Sequence, residues 1–209
     1  MTTGRDQALA RARAAALAEL RAAPRAIPWR TQAFRVAAAF VGMGLLGATA
    51  AVVALAGWPR LLDRAPLLLS LIAIGALAGV ASVAPQGRAW RTGALAVLVL
   101  GPALMVALVL TRGPGAPSST PEWVCSVSHV AIGLVPLAFA LWGLRQGAWR
   151  WSRAVVAGLG AGSAGAMLGE LACHRGALHV LVHHVGAWVV VATACTLLSR
   201  RAHPRTFAP

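Results

Sequence analysis

Taken from one arginine to the next, the chain alternates between long apolar stretches and short polar joints. The apolar stretches run from Val36 to Gly57, Pro66 to Pro85, Thr92 to Thr111, Trp123 to Trp142, Ala154 to Cys173, and Ala177 to Ser199. Each holds about 20 residues, which at ~1.5 Å rise per residue crosses a hydrocarbon core of roughly 30 Å. None contains Lys, Arg or Asp, and only the fifth contains Glu. Trp58, Trp90, Trp123, Trp142, Trp149 and Trp151 sit at or just beyond stretch ends, as an interfacial belt requires, and only Trp188 lies well inside one. The pattern predicts an all-α integral membrane protein: six transmembrane helices over 36–199, a short helical cytoplasmic segment over 1–35, and a cytoplasmic tail over 200–209.

Composition agrees. At 58% hydrophobic and 11% charged residues, the chain lies outside the range of ordinary soluble domains. The basic residues are all arginine, and only Arg60, Arg64, Arg112 and Arg175 fall in the second set of alternating connectors. The positive-inside rule therefore places both termini in the cytoplasm. The large positive charge reads as this topology signal plus attraction to anionic lipid. Because the arginines are dispersed around the spans, direct nucleic-acid binding is not expected. The head is too long, and the apolar stretch behind it long enough, to expect a cleaved signal peptide.

From Arg5 to Ala23 the head is rich in Ala, Leu and Arg, all strong helix formers. Leu9, Leu17 and Leu20 fall roughly on one face, which Arg13 interrupts. Pro24 and Pro28 are expected to end this helix. It reads either as a surface helix with its arginines among headgroups or as a docking helix for a cytoplasmic partner; the head taken alone favours the former.

The first three spans carry no polar side chain beyond Ser and Thr and read as scaffold, with Pro102 kinking the third. The connector from Arg112 to Glu122 (RGPGAPSSTPE) reads as a flexible joint between two halves. In the fifth span, Gly158, Gly162, Gly165 and Gly169 form a small-residue ridge of the kind that lets helix backbones approach closely. Cys173 continues that ridge and is expected to face a neighbouring helix.

Ionisable and thiol side chains inside spans are functional candidates, since burying them costs a few kcal/mol unless compensated. Because successive spans run in opposite directions, Cys125 at the start of span four and Cys173 at the end of span five share one level. His129 lies one turn below Cys125 on the same face, and His179 and His183 are one turn apart on span six, just beyond the tight His174–Arg175–Gly176 hairpin. Cys125, His129, Glu170, Cys173, His174, His179 and His183 are thus candidate ligands of zinc or another transition-metal ion. Cys125 and Cys173 are equally a candidate redox pair able to form a disulfide. No CxxC or HExxH pattern selects between these, and Cys195 and His203 stand apart.

Six helices, a short head and paired cysteines at the ends of spans four and five resemble the NrsF-type multi-pass anti-sigma factors of bacteria. The resemblance rests on Cys125 and Cys173, the Gly-rich AGLGAGSAGAMLGELACH of span five, and the Cys-His region that ends it. It implies a protein of the bacterial inner membrane whose head, through Leu9, Leu17 and Leu20, holds an extracytoplasmic-function sigma factor. Release would follow a redox or metal stress sensed at Cys125 and Cys173; the added His179, His183 and His184, a departure from that pattern, suggest metal ligation more than a plain disulfide. The alternative is an intramembrane metal- or haem-binding protein or enzyme. Ser163 in GAGSAG has Ala161 where a GxS motif needs Gly, and no complete triad is readable, so enzyme activity is not expected.

Overall fold

The computed structural model describes residues 3–22, 27–55, 58–85, 87–116, 119–145 and 149–202, and every regular element among them is helical. The elements are α1 (Thr3–Ala22), α2 (Trp29–Leu55), the short α3 (Trp58–Asp63), α4 (Ala65–Val83), α5 (Arg88–Leu110), α6 (Trp123–Leu144) and α7 (Trp151–Ala172). The last helix, α8, is continuous over Ala177–Ala202. Helices α2, α4, α5, α6, α7 and α8 are each long and apolar enough to cross a membrane. The chain is an all-α, multi-pass membrane protein.

The bundle is built around α7. In its membrane window 89% of residues are buried, against 28–44% in the other five spans, so α7 is the central post. Helices α2, α4, α5, α6 and α8 all pack on it. Its composition explains the position. Only a helix of Gly, Ala and Ser lets that many neighbours approach its backbone.

Two boundaries differ from those read in the sequence. Helix α2 begins at Trp29 and not at Val36, because Thr31 and Gln32 donate their backbone N–H groups to the Pro28 carbonyl and start the first turn there. Arg35 therefore lies within a helix, its guanidinium 5.8 Å from the Trp142 ring centroid. Likewise α7 begins at Trp151, so Arg153 is a buried helical residue rather than a connector charge. It donates to the Ala84 carbonyl at 2.5 Å and stands over the Trp90 ring at 5.8 Å. Pro102, and also Pro136 in α6, sit inside unbroken helices.

The head forms α1, on which Leu9 and Leu17 are exposed. Leu20 lies within that helix, but its side chain, like Pro24, Arg205 and His203, lies outside the described residues.

Candidate functional site

The bundle has two ends. One carries the starts of α2, α5 and α7; the other, the hairpin end, carries the starts of α6 and α8 and the C-terminus of α7. The candidate ligands gather at the hairpin end, and the glycine ridge of α7 makes the space for them. A Cβ at Gly158 would meet Ala192, and one at Gly162 would meet Trp188, so the lower ridge seats α8. Trp188 is fully buried there and donates its indole N–H to the Leu159 carbonyl at 2.8 Å. Higher up, a Cβ at Gly165 would strike the His129 ring and one at Gly169 the His184 ring. The same ridge that packs the helices thus admits two imidazoles.

The first turns of α8 are irregular. Val180–Val185 is a π-helical segment. On a regular α-helix, five residues at ~100° each leave positions 179 and 184 about 140° apart. The i→i+5 bonding of a π turn widens the helix and brings them to one side. His179 and His184 consequently meet, ring centroids 5.6 Å apart. His183 lies 4.6 Å from His179, and His129 lies 6.1 Å from His184.

One donor atom from each of Cys125, Cys173, His179 and His184 lies within 4.8 Å of the other three. Cys125 is half-buried, and Cys173, His179 and His184 are buried. All three cysteines, Cys195 included, are free thiols. None of the six ring nitrogens of His129, His179 and His184 has a hydrogen-bond partner among the described residues. His179 Nδ1 stands 3.9 Å from Glu122, beyond hydrogen-bond reach. A cavity of about 530 Å³ opens onto this set, lined by Cys125, His129, Cys173, Arg175 and His184 among others.

Three other sequence candidates are differently placed. Glu170 is buried but faces arginines: Arg112 donates to it at 2.6 Å, and Arg64 stands at 3.8 Å. His174 is exposed, with its Nδ1 3.2 Å from the Ala172 carbonyl just behind it. His183 has both ring nitrogens engaged, Nδ1 with the Ser126 hydroxyl at 2.9 Å and Nε2 with Glu122 at 3.3 Å. Glu122, His179 and His183 form a second group of donors within 4.8 Å, at the rim. There Glu122 already accepts from Arg175 at 2.9 Å.

The chain is 47% identical over 207 residues to the carotenogenesis protein CarR of Myxococcus xanthus, an alignment covering 98% of this chain and 92% of that protein. It belongs to the CarR family. No family model matches it, and no solved structure matches it either. The resemblance to NrsF-type proteins therefore stands on the residues quoted for it.

In this CarR-family chain the placements that sequence reasoning missed have two causes, backbone irregularity and partners in the first half of the chain. His184, offered by the sequence beside His179 and His183, falls off their face on a regular helical wheel and is brought to His179 by the π turn. Arg60, Arg64 and Arg112, from connectors between scaffold helices, reach the end of α7. Arg60 and Arg112 both donate to the Cys173 carbonyl, at 3.1 and 2.7 Å, and satisfy acceptors that a helix C-terminus leaves open. Burial first, then the charges of Arg112 and Arg64, lower the pKa of Arg60 from its ordinary value. The described parts of the Arg112 to Glu122 connector, 112–116 and 119–122, are fastened to the hairpin between α7 and α8. The Ala116 N–H donates to the His174 carbonyl at 3.0 Å, and Gly115 packs against the backbone of Gly176 too closely for a side chain. Arg175 ties down its far end through Thr120 and Glu122. The signal was present in the sequence: Gly115 and Gly176 each sit in a short connector at the same end.

Proposed function

We propose that this chain is a membrane regulator of gene expression: an anti-sigma factor of the inner membrane, with both termini cytoplasmic, whose head retains an extracytoplasmic-function sigma factor. The Cys/His set at the hairpin end is its input. Full-length identity to a protein named for carotenogenesis carries the regulatory part of this proposal. By the same likeness, the genes under control include those for carotenoid synthesis.

Two features support the division of labour. Helix α1 is the only long helix among the described residues that does not cross the membrane, and it keeps Leu9 and Leu17 exposed. The reactive side chains lie at the opposite end of the bundle, where oxidation or metal exchange would alter how α6, α7 and α8 pack. An enzyme fits less well. The Ser163 hydroxyl is spent on the Gly160 carbonyl of its own helix at 2.7 Å. Two axial imidazoles must lie on opposite faces of a haem, whereas the buried histidines here pack directly on one another.

Affinity purification of the full chain from its native host, beside a form lacking residues 1–22, tests the proposal. A sigma factor is expected with the full chain and not with the shortened one. Retention of no sigma factor by the full chain would sink it.

A further inference from the structure

We infer that Cys125, Cys173, His179 and His184 form a tetrahedral Cys₂His₂ site for one divalent transition-metal ion of the zinc class, with donors from α6, the end of α7 and the π turn of α8. The site stands on geometry; only its role as an input rests on the function proposed above.

Bond lengths of about 2.3 Å to sulfur and 2.0–2.1 Å to nitrogen put tetrahedral donors roughly 3.3–3.8 Å apart. The four donors here already lie within 4.8 Å of one another. Closing the shell draws donors on α6, α7 and α8 together by about an ångström, which couples metal loading to how those helices pack.

The hydrogen-bond pattern selects these four over the alternatives. A buried polar atom without a partner costs about 1–3 kcal/mol, so unpartnered groups rarely cluster by chance. His179 and His184 are buried with no hydrogen-bond partner at any ring nitrogen among the described residues. In the rim group, by contrast, Glu122 is held by Arg175, and His183 by Ser126 and Glu122. His179 belongs to both groups, so the two cannot be filled through it together. His129 shares the orphaned condition but lies outside the four-donor set and flanks it.

Charge selects the ion. Binding deprotonates both thiols: M²⁺ plus two R–SH gives M(SR)₂ and two released protons. With two neutral imidazoles the filled site has no net charge, which a low-dielectric setting favours. A monovalent ion would leave one uncompensated negative charge. Two sulfur and two nitrogen donors suit zinc or cadmium, and cobalt(II) as a visible probe. A Cys125–Cys173 disulfide would consume half of the ligands, so metal loading and oxidation exclude each other.

The test is titration of the reduced, detergent-purified full chain with Co²⁺. One equivalent is expected to bind, with a near-ultraviolet cobalt–thiolate charge-transfer band and strong tetrahedral ligand-field bands, both removed by Zn²⁺. His174→Ala and Cys195→Ser should keep stoichiometry and spectrum. The double variant Cys125→Ser/Cys173→Ser should lose the charge-transfer band, and His184→Ala should weaken binding about tenfold or more. Far-ultraviolet helicity and elution volume show that each variant is folded. A wild-type protein with both thiols titrating as free and no cobalt–thiolate band overturns the site, as does a band that survives in the double serine variant. Sigma-factor capture is read separately. Metal binding without capture removes the regulatory proposal alone, and capture without metal binding removes the site alone.

Discussion

The two ends of the bundle treat their buried polar groups differently: single nitrogens of Trp90 and Arg153 lack hydrogen-bond partners at one end, whereas whole imidazoles do at the other. At the end where α2, α5 and α7 begin, Gln32 donates to the Ile27 carbonyl at 3.0 Å, Arg153 to Ala84, and the Trp149 indole to Ser199 at 3.3 Å. Each is fastened to a fixed oxygen, and their work is structural. At the hairpin end, three buried histidines face one another with no hydrogen-bond partner at any ring nitrogen among the described residues, Glu122 standing 3.9 Å from His179. Beside them the Arg112–Glu170 pair is closed, its two side chains only 5% and 3% exposed. Buried polarity is therefore not one signal. A satisfied group holds the fold, whereas an unsatisfied group among others like it is kept for something that arrives.

The contrast can be broken in three places. Arg112→Ala should cost the most, about 3–5 kcal/mol, because it leaves Glu170 as a buried charge; a large fall in unfolding midpoint in detergent is the readout. A wild-type midpoint would show that Arg64, at 3.8 Å, compensates unaided. Arg153→Ala, at the other end, should cost about 1–3 kcal/mol through the stranded Ala84 carbonyl and the lost contact with Trp90. His184→Leu in metal-free protein should cost about 1 kcal/mol or less, since no protein hydrogen bond is lost and an apolar group replaces an unpaired one. If that substitution destabilises metal-free protein as strongly as Arg112→Ala, the histidines are structural and the contrast between the ends fails.

Much of the fold could be read in advance because membrane burial leaves a coarse signature. Arginines and tryptophans marked the six spans to within a turn or two, and the spacing of Gly158, Gly162, Gly165 and Gly169 pointed to a packed face. At α8 a wheel of ~100° per residue paired His179 with His183, whose rings do stand 4.6 Å apart, but it left His184 off that face. Nothing in the composition of Val180–Val185 announces a π turn, so His184 stayed off the face it occupies. Glu170 was correctly singled out as a costly intramembrane acid, but its partner lay 58 residues earlier in a connector. Pairings over such distances are set by how helices are arranged around α7, which local sequence does not encode.

The fastening of the α7 terminus also bears on the order in which the molecule is assembled. Arg60 and Arg112 leave the ribosome well before Gly169, Glu170 and Cys173, the residues that receive them. While the chain is growing, the first three spans hold cations that have no destination. Only when α7 enters the bundle do those side chains acquire acceptors, and only when α8 follows does the donor set acquire its imidazoles. The hairpin end is thus the last region to mature, and a chain stopped before Cys173 lacks the acceptors that Arg60 and Arg112 hold in the finished bundle.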